Sequence, residues 1–238
     1  MTTMPAVALL AGGLAKRLGP LTKQMPKSML EVAGEPFIAH QLRLLSRERI
    51  ARVVICVGYL ADQIEDYVLD GRRFGLSVGY QIDGPNPLGT GGALRNALHQ
   101  LGDEFLVMYG DSWLDIAYAP VVDAFMLSGA PALMTVFRND GQWDTSNVWF
   151  EDGRIRLYDK AERLPQMRHI DWGLSMVRAD AWAARPAGEP FDLAEIYSGL
   201  SRQGKLAGYE VSTRFYEIGS VAGLHETDAL LRKKLQSL

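Results

Sequence analysis

Three short apolar runs constrain the fold of this chain more than any other feature: residues 6–10 (Ala-Val-Ala-Leu-Leu), 53–57 (Val-Val-Ile-Cys-Val) and 105–109 (Phe-Leu-Val-Met-Tyr). Each is too short for a helix and apolar on both faces, which is the pattern of a parallel strand covered on both sides. Helical spacings lie between them: Ile38, Leu42, Leu44 and Leu45 after Pro36, then Ile64, Tyr67 and Val68 before Gly71, then Leu94, Ala97, Leu98 and Leu101 before Gly102. Strand and helix in alternation predict an α/β fold, a Rossmann-like doubly wound mixed sheet. Ligands of such sheets bind at the carboxyl ends of the strands.

The rhythm changes after Asp111. A helix is expected from Pro120 to Leu127, a strand over 131–137, and a hairpin over 148–158 that turns at Asp152-Gly153. Further strands are expected at 172–178, 206–211 and 214–218, with helices near 192–201 and 223–235. No Ser/Gly/Pro-rich linker, repeat or low-complexity segment divides the halves. The chain therefore reads as one domain over 1–238, with a β extension on the substrate side and nothing appended after the last helix.

Composition narrows the functional classes. Twenty-five Lys and Arg against 28 Asp and Glu give 25 − 28 = −3, with no long single-sign run, which argues against a nucleic-acid track. Cys56 is the only cysteine, so intrachain disulfides and cysteine metal clusters are excluded. No basic leader and no run of ~20 apolar residues is present, and a cytoplasmic protein without a membrane span is expected. His40, His99, His169 and His225 lack metal-ligand spacing. There is no G-x-S-x-G elbow, no Walker spacing, and Gly12-Gly13 does not complete the G-x-G-x-x-G of a dinucleotide oxidoreductase.

The glycines carry the chemistry. Leu10-Ala11-Gly12-Gly13 leaves the first apolar run and reaches Arg17 four residues later, followed by Pro20-Leu21-Thr22 and Pro26-Lys27-Ser28 in the same long connection. Glycines let backbone N–H groups approach an anion, and Arg holds phosphate oxygens in a fork. A tight turn with a solvated Arg is the plain alternative. Pro87-Leu88-Gly89-Thr90-Gly91-Gly92-Ala93 opens a helix, with Thr90 as a possible N-cap, and Tyr109-Gly110-Asp111-Ser112 ends the third run.

These motifs, in this order, resemble the sugar-1-phosphate nucleotidylyltransferases of the NTP-transferase superfamily, whose signature runs L-A-G-G-x-G-T-R-L-x-P-L-T and then P-K-P. The match is Leu10 through Thr22 and Pro26-Lys27; Ala15 and Lys16 replace Gly-Thr, and Ser28 replaces the second proline. A shorter likeness, Ala11-Gly12-Gly13 to Arg17-Leu18-Gly19, is to the molybdenum-cofactor guanylyltransferases; the later motifs favour the sugar branch.

The resemblance implies a reaction and a site. An NTP and a sugar 1-phosphate, the two partner molecules, give an NDP-sugar and pyrophosphate, with Mg²⁺ as cofactor and a role in cell-surface polysaccharide synthesis. Arg17, Lys27 and Asp111 are the implied catalytic residues. Leu10, Ala11, Gly12, Gly13, Arg17, Lys27, Gly84, Gly89 and Thr90 would bind nucleotide. Asp159, Lys160, Asp171 and Gly173 would bind the sugar phosphate, and Asp111 with Glu217, at the carboxylate of the family's D-[IV]-G-T pattern, would hold the metal. Residues 1–112 are then the nucleotide half and 113–238 the sugar half. The stretches 58–64, 70–76 and 88–93 look most like the branch using GTP with heptose 1-phosphate or mannose 1-phosphate, with the UTP-dependent N-acetylmuramate-1-phosphate uridylyltransferases as the alternative. A catalytically silent, sugar-nucleotide-binding regulatory subunit is the reading from another class, and a homo-oligomer is left open.

Overall fold

Val7 and Leu9 pack against one layer of helices while Ala6, Ala8 and Leu10 pack against another, so the first strand, β1 (Ala6–Leu10), is buried along its whole length. The computed structural model describes residues 4–13, 18–19, 22, 24–84, 86–143 and 145–236. A two-residue hairpin follows, β2 (Glu31–Val32) and β3 (Glu35–Pro36), and leads into α1 (Phe37–Arg47). Then come β4 (Arg52–Val57), α2 (Ala61–Val68), β5 (Ser77–Ile82), α3 (Gly89–Leu101) and β6 (Glu104–Tyr109). The same division holds in β4 and β6: Val53, Ile55, Val57, Leu106 and Met108 face one layer, Val54, Cys56, Phe105 and Val107 the other. A period of two with both faces apolar is what a doubly covered parallel sheet demands.

The second half comprises β7 (Ser112–Trp113), α4 (Ala119–Ser128), β8 (Ala132–Arg138), β9 (Val148–Glu151), β10 (Arg154–Tyr158), β11 (His169–Arg178), α5 (Leu193–Arg202), β12 (Leu206–Val211), β13 (Tyr216–Glu217) and α6 (Val221–Leu235). Among the described residues nine strands form one sheet, in the order β5-β4-β1-β6-β11-β8-β12-β10-β9. The first four are mutually parallel; β11 runs antiparallel to both β6 and β8. The expected mixed, doubly wound sheet is present, and its antiparallel part belongs to the second half.

Besides the short strands β2, β3 and β7, which have no counterpart in the sequence reading, three elements differ from it. β5 was not foreseen, because Ser77-Val78-Gly79-Tyr80-Gln81-Ile82 is an edge strand, only half buried, and lacks a continuous apolar signal. The strand expected over 214–218 contracts to Tyr216–Glu217, which pairs with β7 outside the main sheet. β11 starts at His169, three residues before the expected start, because its first residues pair with β8 beyond the end of β6. The hairpin between β9 and β10 turns as expected, with Asp152 and Gly153 both at positive φ. No helix of the described residues is long and apolar enough to cross a membrane.

Candidate active site

At the carboxyl ends of β1, β4 and β6 the chain leaves a cleft of about 240 Å³. Its walls are set by backbone contact: the Ala11 amide donates to the Cys56 carbonyl at 2.8 Å, and the Gly110 amide donates to the Leu10 carbonyl at 2.9 Å. A side chain at Gly110 would press within 2.8 Å of that carbonyl, so only glycine lets β6 end beside β1. Leu10, Ala11, Gly12, Gly13, Lys27, Gly89, Thr90 and Asp111 all line this cleft, as the motifs implied. Gly84 lies exposed outside the lining, next to Asp83. Arg17, with Ala15 and Lys16, lies outside the described residues.

Lys27 begins a single 3₁₀ turn, Lys27–Met29, entered through the extended Pro26. Its Nζ donates to Asp111 Oδ2 at 2.8 Å, and Ser112 Oγ donates to Asp111 Oδ1 at 3.3 Å. The next residue, Ser28, lines the cleft and is 2% exposed, and its buried hydroxyl has no hydrogen-bond partner among the described residues. Across the cleft, Asp83 accepts from the Leu88 amide at 3.3 Å through Oδ2, while its buried Oδ1 has no donor. Burial raises the Asp83 carboxyl above its ordinary range, and the Leu88 amide offsets part of the rise. Both are buried polar atoms left unpaired among the described residues, in residues that line the cleft.

The glycine-rich start of α3 is packed against the segment that precedes α5. Gly91 and Gly92 donate their amides to the Phe191 carbonyl at 3.0 and 3.3 Å. A Cβ at Gly91 would strike the Phe191 ring, and one at Gly92 would lie 2.6 Å from the Glu189 carbonyl oxygen. Thr90 is committed to the same contact: its hydroxyl donates to Asp192 Oδ1 at 3.0 Å and accepts from the Leu193 amide at 2.9 Å. Asp192 in turn is the N-cap of α5 and accepts from Lys160 Nζ at 3.1 Å. Burial alone would raise the Asp192 carboxyl, but the Ala194 amide, Lys160 and Thr90 together hold it below its ordinary value. Asp192 therefore ties Thr90 of the nucleotide-side loop to Lys160 of the second half.

Asp159 folds into its own turn, accepting from the Ala161 and Glu162 amides at 2.8 and 2.9 Å and from Arg202 at 2.6 Å. Asp171 and Gly173 occupy the irregular stretch of β11, where the register with β8 shifts and Gly173 takes a φ of +100°. There Asp171 accepts from the Gly173 amide at 2.9 Å, and Gly173 lies against the ring of Tyr109, itself a wall of the cleft. Burial pushes the Asp171 carboxyl up to about 6, with Lys160 opposing and Asp192 reinforcing the rise. Glu217 sits opposite Ser112 in the β7–β13 ladder, one residue from Asp111. Its carboxylate accepts from the Gly219 amide at 2.8 Å and from Ser220 Oγ at 3.2 Å, at the start of α6.

The motifs missed Asp83 and Asp192. Asp83 stands in no recognisable pattern, and the capping box Asp192-Leu193-Ala194-Glu195 marks only a helix start; the fold alone places Asp83 in the cleft wall and sets Asp192 between Thr90 and Lys160. Among the described residues no three His, Cys, Asp or Glu side chains cluster as a metal cage. Mg²⁺ requires no such cage, since one or two carboxylates with phosphate oxygens and water complete its shell, and Asp111 on the cleft wall is a hard oxygen donor of the right kind.

Comparison with known proteins shows the family and the fold. The model of the family described as "Nucleotidyl transferase" matches residues 6–146. An N-acetylmuramate alpha-1-phosphate uridylyltransferase of Caulobacter vibrioides is 30% identical over 232 residues, which cover 92% of this chain and 94% of the relative. A D-glycero-alpha-D-manno-heptose 1-phosphate guanylyltransferase of Campylobacter jejuni is 34% identical over 108 residues, 45% of this chain and 48% of the relative. The crystal structure of HddC from Yersinia pseudotuberculosis complexed with GMP-PN superposes with a TM-score of 0.82 at 22% identity, over 96% of this chain and all of that one, a likeness of fold. With the family model covering more than half of its length and a relative matched nearly end to end, the chain belongs to the nucleotidyl transferase family, as a sugar-1-phosphate nucleotidylyltransferase.

Proposed function

We propose that the chain transfers a uridylyl group from UTP to N-acetylmuramate 1-phosphate, giving the UDP-sugar and pyrophosphate. The observation that carries the nucleotidyl-transfer chemistry is the single cleft at the strand ends that joins Lys27, Asp111, the unpartnered Ser28 hydroxyl and the unpartnered Asp83 oxygen. The choice of sugar rests on the relative matched over the sugar half as well as the nucleotide half. GTP with a heptose or mannose 1-phosphate, favoured by the sequence motifs, is the second reading, supported by the higher identity of the heptose enzyme over a shorter stretch.

The sugar-phosphate oxygen attacks the α-phosphorus in line; a new P–O bond forms there, the α–β bridging P–O bond breaks, and the electron pair leaves on pyrophosphate. The nucleophile is already an anion, so no protein base or covalent intermediate is required, and catalysis is alignment plus neutralisation of charge. Lys27 would meet the α-phosphate, Arg17 the triphosphate and departing pyrophosphate, and Lys160 the sugar phosphate. The orphan oxygen of Asp83 would accept the imide N–H of the base. Asp111, with Glu217 as second carboxylate, would hold Mg²⁺, whose charge offsets that of the phosphates. Residues 1–112 thus supply the nucleotide side and 113–238 the sugar side of a cytoplasmic reaction.

The test is pyrophosphate release from UTP and GTP, each paired with N-acetylmuramate, heptose and mannose 1-phosphates in the presence of Mg²⁺. UTP with the muramate is the expected pair. Turnover of GTP with a heptose or mannose 1-phosphate alone would move the assignment to the second reading, and no pyrophosphate from any pair would overturn the enzyme reading in favour of a silent binding subunit.

A further inference from the structure

Beyond the strand-end cleft, a second and larger open cleft of about 820 Å³ lies where β8 ends and β11 begins. Its described lining holds three guanidinium groups, Arg138, Arg163 and Arg168, against one carboxylate, Asp140. Asp140 holds Arg138 at 2.9 Å and stands 3.7 Å from Arg168, while among the described residues Arg163 donates to the main-chain carbonyls of Asp159 and Glu162. Among the described lining residues three positive charges thus face one negative, in a chain whose net charge is −3. The surplus is placed for an anion.

The cleft adjoins the proposed sugar subsite. Arg138 pairs with His169 in the β8–β11 ladder, two residues from the Val136–Asp171 pair, or about 7 Å along the strand. On the other side, Ser146 lines the cleft and its neighbour Asn147 accepts from the Asp159 amide at 3.1 Å and donates its own amide to the His169 carbonyl at 3.0 Å. Asn147 Oδ1, at this junction, is buried without a donor. A buried acceptor left unpaired costs free energy that a sugar hydroxyl or amide N–H would recover.

We propose that the arginine cleft of Arg138, Arg163 and Arg168 binds a carboxylate carried by the sugar 1-phosphate, so that the enzyme selects an acidic sugar over its neutral counterpart. The inference rests on the reading of the chain as a sugar-1-phosphate nucleotidylyltransferase and adds the residues that read the substituent. The sugar phosphate is held at Lys160, the ring offers a donor to Asn147 Oδ1, and the acidic substituent reaches the guanidinium groups. Because this contact is remote from the phosphorus, it contributes to binding equally in the ground and transition states and appears in KM more than in kcat.

The experiment compares N-acetylmuramate 1-phosphate with N-acetylglucosamine 1-phosphate, which lacks only the lactyl acid, by pyrophosphate release from UTP and from GTP. The proteins are the wild type, Arg163→Ala/Arg168→Ala and Arg168→Lys. Wild type is expected to prefer the acid, and the double variant to lose about tenfold or more in kcat/KM for the acid, chiefly through KM, while changing about twofold or less with the neutral sugar. Arg168→Lys should keep part of the preference. A double variant that keeps the preference, or that loses both sugars equally, overturns the arginine assignment while leaving the transferase reading intact. A wild type that uses the two sugars equally, or turns over only neutral sugars, overturns the proposal in the same limited way. Pyrophosphate from neither sugar overturns the proposal, and the transferase reading falls with it only where heptose and mannose 1-phosphates also release none.

Discussion

Lys27 and Asp111, 84 residues apart in sequence, meet at 2.8 Å with both side chains only partly exposed. The first comes from the long connection after β1 and the second from the end of β6, so the pair forms only because those strands are neighbours in the sheet. It places a cation and a carboxylate at the same point of the cleft wall, where a phosphate and its counter-ion would both be needed.

Removing either member is expected to cost turnover far more than stability. Lys27→Ala and Asp111→Asn should each lower kcat by roughly 10²–10³, the usual loss when one group aimed at transition-state charge is deleted. A partly exposed ion pair contributes at most about 1 kcal/mol to folding. Pyrophosphate assays beside thermal melts check this, and unchanged turnover in either variant would reject the assignment.

Ser28→Ala separates binding from folding. The hydroxyl is buried and unpartnered, so its deletion should leave the melting temperature unchanged or slightly raised. If that hydroxyl donates to the nucleotide phosphates, KM for the NTP should rise about tenfold, as expected for a lost hydrogen bond to a charged group. Nucleotide titration by calorimetry provides the second readout, and an unaltered KM would remove Ser28 from the site.

Gly91→Ala tests the packing of α3 on the 189–192 segment. A Cβ there meets the Phe191 ring, and the start of α3 or Phe191 must shift to admit it. A loss of about 1–3 kcal/mol in denaturant unfolding is expected from overpacking. Gly13→Ala is the control, because a Cβ at Gly13 meets nothing within 4 Å among the described residues.

The Asp171 carboxyl, pushed up to about 6 by burial, makes stability depend on pH. The native state holds this proton more tightly than the unfolded chain, so ionisation penalises folding: the penalty is absent below about pH 4 and grows as pH rises through 6. Asp171→Asn removes the charge and can keep an oxygen for the Gly173 amide. Its melting temperature should therefore exceed that of wild type by a margin that widens between about pH 4 and 7 and then levels off; a margin constant with pH would contradict this.

Much of the architecture was legible because its signal is local. β1, β4 and β6 are apolar on both faces, and the helices between them carry a regular apolar stripe. The same is true of the strand-end glycines, whose place after a buried strand marks a ligand site. Edge and pairing decisions were not legible: β5 is half exposed, and β13 pairs with β7 through two residues chosen by their neighbours rather than by their own propensity. Thr90 is expected as the N-cap of α3, but that position is Leu88 without a side-chain cap; the Thr90 hydroxyl instead accepts from the Leu193 amide at the start of α5, more than a hundred residues away, a contact that depends on the fold.

The sequence by itself determined the class of sheet, the end of it that holds the site and the family chemistry, because strand burial, glycine turns and charged motifs are properties of contiguous residues. Only the tertiary structure decided which charges meet. It joined Lys27 to Asp111, set Asp192 between Thr90 and Lys160, placed Asp83 and Ser28 in the cleft wall, and brought Arg138, Arg163 and Arg168 to one second cleft. Electrostatic and hydrogen-bond partners act over a few ångströms of space, and the distance along the chain between these residues carries no information about that space.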